Sequence, residues 1–248
     1  MVHKILWSVA LLMSIAFAKT HEPQSSAHFI IPATAEYARA AWTATVIDTA
    51  GDTISGKKSS ITVAGSQVTK LRIKDKQKVK HTFTPETMKS FSVPLNKVQR
   101  GVLFVESVVL KGSVSQEKLE VFKRERAEWI QVPKPGKPGK FLMLQELNPH
   151  FDQIITVYQS PEYITVTHEY DNGFSLKKGA FEELDDEYML LIEGKSIEIS
   201  EKDYGDEDFE AIFGDCPKMM QKYPTEDDRH WSLLPDHILE YTEYKLAQ

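Results

Sequence analysis

Six basic side chains fall on every second position of one short segment, a pattern that suits the binding of an anion. If the segment turns at residues 74–77, the strands on either side place Lys70 and Arg72 on the same face as Lys78 and Lys80. Like charges that face each other across strands are destabilising, so this face must be open to water or to an anion. These four residues are the predicted binding residues for lipid head groups, an acidic glycan or an acidic protein surface. The six positions are Lys70, Arg72, Lys74, Lys76, Lys78 and Lys80.

The same lysines also have a purely structural interpretation. Exposed edge strands often carry Lys, because charge at the edge blocks pairing with the edge of another molecule. Nucleic acid is a poorer partner, since no aromatic residues interleave with these lysines. An anionic ligand and protection of a sheet edge therefore stand as the two alternatives for this segment.

Three acidic runs, at residues 182–187, 203–210 and 226–228, raise the question of a metal site. Calcium takes about six to eight oxygen ligands, but the run that starts at Asp206 lacks the glycine and the terminal glutamate of an EF-hand loop. His237 and Glu240 would face the same way on a helix, yet zinc needs roughly three or four ligands, and no other His or Cys pair has ligand spacing. The sequence therefore predicts no metal and no cofactor, and it favours solvated acidic faces or helix starts.

Nucleophilic catalysis has little support in the sequence. Cys216, the single cysteine, precedes Pro217 and so falls at a helix N-cap, a position that raises thiol reactivity. The neighbouring Asp215 favours the neutral thiol, and no Cys-x-x-Cys partner is present, so we predict a buried structural thiol. The sequence has no Gly-x-Ser-x-Gly elbow, His-Glu-x-x-His, Walker loop or Rossmann fingerprint. No catalytic residue is predicted.

The elements that must position these side chains are predicted to be strands first and helices last. Period-2 patterning recurs from about residue 41 to 199, with hairpins at 42–47 with 53–63 and at 68–73 with 78–83. Turn clusters at residues 48–52 and 171–173 each contain a glycine for a positive φ. After residue 200 the period becomes helical, and Pro217 and Pro235 fit the first positions of two helices. The predicted fold is α+β: a mainly antiparallel β region, as a sandwich or as open barrel-like sheets, followed by a short C-terminal helical segment.

The charges are divided unevenly along the 248 residues, although the whole chain carries a formal charge of only -6. Residues 19–140 hold 21 basic and 11 acidic side chains, whereas residues 141–248 hold 8 and 25. The sign reverses at a Pro-, Gly- and Lys-rich segment, residues 133–140, which suits a linker between two lobes and a long hairpin loop equally well. The simplest explanation is partial neutralisation between the two regions. A basic hairpin remote from every acidic cluster would instead favour an external anionic partner.

Residues 1–18 have the features of a secretory signal peptide. Lys4 supplies the basic start, residues 5–15 are apolar, and Ala16-Phe17-Ala18 has the small-x-small cleavage pattern. The apolar stretch is shorter than the roughly 20 residues that cross a bilayer, and no later segment is long and apolar enough to act as an anchor. We therefore expect a signal peptide at 1–18, a β-rich region at 19–199 and a helical segment at 200–248 packed on it.

Two short motifs follow one another along the rest of the chain. Gly51-Asp52-Thr53-Ile54-Ser55-Gly56 lies at a predicted hairpin, and the acidic-Cys-Pro step at residues 213–220 lies in the helical tail. In this order of features the chain resembles uncharacterised exported β-rich proteins of the Bacteroidota type. The resemblance implies a periplasmic or cell-surface protein and transfers no catalytic residue.

Together these features predict an exported protein, periplasmic or extracellular, that acts as a non-enzymatic binding or structural module of the cell envelope. Its partner would be an anionic envelope component or another protein. The alternative is a hydrolase that acts on an envelope or extracellular polymer, with an active site assembled from dispersed residues. A pocket with converging His and carboxylate side chains would favour the hydrolase, and a filled core beneath a charged flat surface would favour binding.

Overall fold

A curled, antiparallel sheet of seven strands forms the first half of the fold. The computed structural model describes residues 29–30, 32–33, 35–64, 67–101, 103, 124–160 and 187–248. The predicted signal peptide, the turn predicted at 171–173 and acidic residues 182–186 lie outside them. The strand order is β4-β3-β2-β1-β5-β6-β7, and the sheet closes into a half-barrel in which β7 approaches β3. The strands are β1 Thr43–Asp48, β2 Thr53–Ala64, β3 Gln67–Lys74, β4 Lys80–Phe83, β5 Met88–Pro94, β6 Arg126–Pro133 and β7 Phe141–Leu144.

Alternating side chains decide which face of the half-barrel is buried. In β3, Leu71 and Ile73 are fully buried in the interior, whereas Arg72 and Lys74 point outward and are exposed. The interior is filled by apolar residues that include a parallel stack of Phe91 on Trp129, with ring centroids 4.8 Å apart. The inside of the half-barrel is therefore packed with side chains and the outer face of β3 is polar.

The predicted turn between β1 and β2 is confirmed, and side-chain hydrogen bonds and a glycine stabilise it. Asp48 Oδ1 accepts hydrogen bonds from the backbone N–H groups of Ala50 and Asp52, each over 2.9 Å. Gly51 has a φ of 95°, a conformation that glycine adopts without the steric cost of a side chain. This turn sets the register in which β2 pairs with β1.

A second sheet of three antiparallel strands is covered on both faces. One face packs Tyr158 and Met189 against Val132, Leu142 and Leu144 on the outside of β6 and β7. The other face packs against the C-terminal helices. Because both faces are buried, its central strand is apolar over consecutive residues, without the alternation of a half-exposed strand. The strands, in the order β10-β9-β8, are β8 Ile155–Gln159, β9 Glu187–Ile192 and β10 Lys195–Ser200.

Helices follow the last strand, as predicted. Pro217 occupies the first position of its helix, where its missing N–H costs nothing, and Pro235 is the second residue of the last helix. The predicted α+β class is confirmed, with mainly antiparallel sheets before a short helical segment. Before β10, the described residues include α1 Ala35–Ala40 and helical residues 97–101 after β5. After β10 come α2 Glu201–Asp203, a π-helical turn Tyr204–Asp208, α3 Phe209–Phe213, α4 Pro217–Lys222, two 3-10 turns Glu226–Asp228 and Trp231–Leu233, and α5 Leu234–Leu246.

The Pro- and Gly-rich segment where the charge reverses is a hairpin loop. Pro133 pairs with Phe141 at the ends of β6 and β7, so residues 134–140 join two neighbouring strands of one sheet. Gly136 and Gly139 have φ values of 63° and 73°, which a tight loop of this kind requires. Of the two interpretations of this segment, the structure shows the loop.

Candidate functional site

The outer surface of β2, β3 and β4 carries a cluster of cations that we call the basic face. Lys74 in β3 lies directly opposite Lys57 in β2 on one side and Lys80 in β4 on the other. Neighbouring strands are about 4.8 Å apart, so these three side chains form a row across the sheet. We call them the lysine row. The basic face consists of Lys57, Lys70, Arg72, Lys74 and Lys80.

Three of the four predicted binding residues lie on this face. Lys70 and Arg72 alternate with buried residues of β3 and point outward, and Lys80 begins β4 on the same side. Lys78 does not join them. Strand β4 begins only at Lys80, and Lys78 lies in the preceding turn with a left-handed φ of 69°. The predicted sharing of one face is correct for Lys70, Arg72 and Lys80, and wrong for Lys78.

Two members of the lysine row were not predicted. Lys74 was assigned to the turn, but β3 extends through it, and the turn comprises residues 75–79. Lys57 comes from the preceding hairpin, and only the register between β2 and β3 places it opposite Lys74. A period-2 pattern shows that Lys57 points outward, but it gives no information on which residue lies opposite.

A close contact at Gly56 fixes this register. A Cβ atom at Gly56 would lie 2.3 Å from the carbonyl oxygen of Lys74, closer than real Cβ contacts allow. The absence of a side chain lets the chain at Lys74 and Asp75 pass directly over β2, beside an irregularity in the pairing at Lys58 and Ser60. Gly56 is therefore a structural requirement for the position of Lys74.

The carboxylate nearest to the row in sequence has another partner. Asp75 Oδ2 is 2.8 Å from Nε2 of His81, and this hydrogen bond is the main cause that lowers the pKa of Asp75. Its other oxygen accepts the backbone N–H of Val79 over 2.8 Å, which closes the turn. In the part of the chain that the structure describes, no residue of the basic face forms an ion pair.

An exposed indole lies beside the lysine row. The Trp42 side chain is 77% exposed, and Nζ of Lys57 is 5.8 Å from its ring centroid, within cation–π range. The backbone carbonyl of Trp42 accepts the N–H of Lys58 over 2.9 Å, so the residue is anchored to β2. Sequence reasoning treated Trp42 as the start of a strand and missed its exposure.

A second ionisable cluster lies where β7 leads to the second sheet. Burial, and then the nearby carboxylate of Asp152, raise the pKa of Glu146 to about 7. Burial and the charge of Glu146 raise the pKa of Tyr158 to about 12, and burial lowers the pKa of Arg124. A carboxyl group that holds its proton near neutral pH has the property of a general acid. Glu146, Asp152 and Tyr158 lie close to one another in the sequence, whereas Arg124 comes from the segment before β6, so the cluster depends on the fold and not on a local motif.

The residues tested for metal binding have structural roles. His237 is fully buried, and its Nδ1 is hydrogen-bonded to the hydroxyl of Tyr204 over 2.6 Å. Glu240 instead accepts hydrogen bonds from Lys222 and from the hydroxyl of Tyr223. Over the described ranges, no group of three or more His, Cys, Asp or Glu residues is arranged to hold a metal ion.

The predicted structural role of Cys216 is confirmed. The thiol is fully buried, and Cys216 is the N-cap of α4. Its backbone carbonyl accepts the N–H groups of Met219 and Met220 over 3.0 and 3.2 Å. The side chain packs in the core between the helices and the second sheet, where it behaves as a small apolar group.

Among the described residues, the ion pairs join side chains within one charge region. Lys140 lies 3.8 Å from Glu86 in the basic region. In the acidic region, Arg229 pairs with Glu210, and two further pairs form close to the helices. Arg124 of the basic region acts electrostatically on Glu146 of the acidic region, but no ion pair among the described residues joins the basic face to an acidic side chain. The basic face is therefore left to interact with solvent or with a partner.

The chain matches no family model, no curated protein and no solved structure. The helices within the described ranges are too short or too polar to cross a membrane. Arguments about function therefore rest on the geometry of this chain's own residues.

Proposed function

We propose that the protein is an exported, non-enzymatic binding module of the cell envelope that holds an anionic partner on its basic face. The observation that carries this proposal is the direct opposition of Lys57, Lys74 and Lys80 across three strands. Like charges in directly opposed positions destabilise a sheet, so the arrangement lowers the stability of the free protein. A bound polyanion offsets this cost by placing negative charge over the row.

Protection of a sheet edge explains only part of the basic face. Strand β4 is the edge, and a charge at Lys80 suits that role. Lys57, however, lies on β2, and Arg72 and Lys74 lie on the part of β3 that pairs with both of its neighbours, whereas Lys70 lies beyond the end of β4. Charges at Lys57, Arg72 and Lys74 do not block pairing at an edge. The distribution over three strands therefore favours an anionic ligand over edge protection.

Export is part of the same proposal and has its own test. The basic start, the apolar stretch and the small-x-small step at residues 16–18 support cleavage before Lys19. Mass spectrometry of the protein recovered from outside the cytoplasm should give a chain that begins at Lys19. A chain that keeps its first 18 residues inside the cell would contradict export.

Polyanion binding by matched variants tests the basic face. The triple variant K57S/K74S/K80S removes the lysine row, and K134S/K137S/K140S removes the same charge from the hairpin loop between β6 and β7. At about 1 kcal/mol for each lysine near an anionic surface, loss of the row should weaken binding roughly 100-fold. The probes are polygalacturonate, polyglutamate and phosphatidylglycerol vesicles, at low and high salt.

The outcomes of this experiment separate a dedicated face from a general charge effect. Retention of binding by the loop variant and loss by the row variant would support the proposal. Equal losses in both variants would show that only net charge matters and would contradict it. A protein that binds none of the three probes at low salt would contradict it as well.

A further inference from the structure

Trp42 is the feature of the basic face that charge does not explain. An indole that is 77% exposed leaves a large apolar surface in water, and the fold does not use it as part of the core. Its backbone is nevertheless anchored to β2 by the hydrogen bond from the Lys58 N–H to its carbonyl, and the Lys57 ammonium lies near its ring. A flat apolar ring therefore lies at the end of the lysine row.

From this arrangement we infer that the anionic partner is an acidic polysaccharide, whose sugar ring stacks on Trp42 while its acidic groups contact the lysine row. The inference rests on the proposed function and deepens it. A pyranose ring presents C–H groups on a flat face that packs against an indole, which offers a large and rigid apolar surface. An acidic polysaccharide combines such faces with regularly placed carboxylates or sulfates on one chain.

Hydroxyl groups between the cations fit the same partner. Ser60 lies opposite Arg72, and Thr62 lies opposite Lys70, on the outward side of β2. Thr82 lies opposite Arg72 on the other side, in β4. Hydroxyl side chains both donate and accept hydrogen bonds, as sugar hydroxyls do. The face thus offers alternating charged and neutral hydrogen-bonding groups.

A lipid surface fits this face less well. Membrane-surface binding requires an apolar area that enters the boundary between head groups and acyl chains. The outward residues where β3 pairs with β2 and β4 are cationic or carry hydroxyl groups. The exposed apolar side chains beside the row are Trp42 at one end and Val79, next to Lys80, at the other, so they form no continuous apolar area. Charge alone would attract anionic lipid, but it would not give the indole a partner.

Binding measurements with the full mature chain test the inference. The variants are W42A, its conservative partner W42F, and V98A, which shortens another exposed apolar side chain (75% exposed) in the helical segment after β5. Polygalacturonate affinity should fall about tenfold in W42A, recover in part in W42F and stay unchanged in V98A. Affinity for polyglutamate, which has charge but no sugar ring, should be the same in all three variants.

The results distinguish the acidic polysaccharide partner from the more general proposal that the basic face binds an anion. Quenching or a spectral shift of Trp42 fluorescence on addition of polygalacturonate, absent in W42A, would support stacking. Binding to phosphatidylglycerol vesicles or polyglutamate but not to polygalacturonate would overturn the polysaccharide and leave the basic face intact. Equal polygalacturonate affinity in W42A and the wild type would overturn the role of Trp42. Failure to bind any polyanion would overturn both.

Discussion

The hydroxyl of Tyr204 and Nδ1 of His237 form a hydrogen bond of 2.6 Å inside the helical core. Both side chains are fully buried, and burial raises the pKa of Tyr204 well above its ordinary value and lowers the pKa of His237 to about 3. The phenol and the imidazole are therefore both neutral. Among the described residues, Nε2 of His237 is buried without a hydrogen-bond partner. The ring lies among Phe209, Phe213 and Tyr223.

Acid should destabilise the protein through His237. The unfolded chain binds a proton at the ordinary pKa of 6.5, whereas the folded chain does so only near 3, so stability falls as the pH falls through this window. Between pH 7 and pH 5 the contribution is about 2 kcal/mol. Urea unfolding of wild type and His237→Gln at both pH values measures it. His230→Gln, at an exposed position, is the control, and an unchanged pH slope in His237→Gln would contradict the prediction.

Glu146 should have the opposite effect on the pH dependence. Its pKa is raised from 4.5 to about 7, so the folded chain holds this proton more tightly than the unfolded chain. The stability that protonation confers is complete below about 4.5 and is lost as the pH rises through 7. Glu146→Gln should remove this loss and should gain stability relative to wild type at pH 8. The same comparison with Glu198→Gln, exposed on β10, should show no gain, and a gain of equal size there would count against the assignment to Glu146.

Substitution of Gly56 should destabilise the sheet at the lysine row. In Gly56→Ala the new Cβ would lie 2.3 Å from the Lys74 carbonyl oxygen, so β3 must shift. Overpacking of this kind costs about 1–3 kcal/mol. Gly101→Ala is the matched control, because a Cβ there meets nothing within 4 Å and alanine suits a helical position. If urea unfolding gives the same free energy of unfolding for both variants, the close approach of residue 56 to the Lys74 carbonyl does not affect the stability of the sheet, and the prediction is wrong.

Local chemistry explains which parts of the fold could be predicted. The turn at residues 48–52 follows from Asp48 and Gly51, which act within four residues of one another. The helical tail follows from apolar spacing and from Pro217, and the buried thiol follows from the lack of a partner for Cys216. Each of these features depends on neighbours in the sequence, so the sequence alone was sufficient.

Long-range register explains what could not be predicted. Lys57 and Lys74 meet because Gly56 permits a close approach and the pairing shifts between Lys58 and Ser60. Period-2 patterning shows only the face of each strand, not the opposite residue. The Glu146 cluster combines residues 146–158 with Arg124 from the segment before β6, and only the fold brings them together. The left-handed φ of Lys78 results from the length of the turn, which the alternation of lysines conceals.

Removal of the central lysine of the row should stabilise the free protein and weaken ligand binding. Lys74 stands between two like charges, so Lys74→Thr should raise the free energy of unfolding by about 0.2–1 kcal/mol at low salt. The gain should shrink in 1 M salt, where the Debye length is about 3 Å. Urea unfolding at both salt concentrations measures this difference.

Threonine also has the higher strand propensity, which adds a gain that salt does not change. Lys195→Thr, at an exposed and paired position of β10, measures that gain outside the row. If repulsion within the row is real, only Lys74→Thr shows a gain that depends on salt, together with weaker polygalacturonate binding. A salt-independent gain in both variants would mean that the three lysines tolerate one another without cost. The main argument for an anionic partner on this face would then fail, because the free protein would have no repulsion for a ligand to relieve.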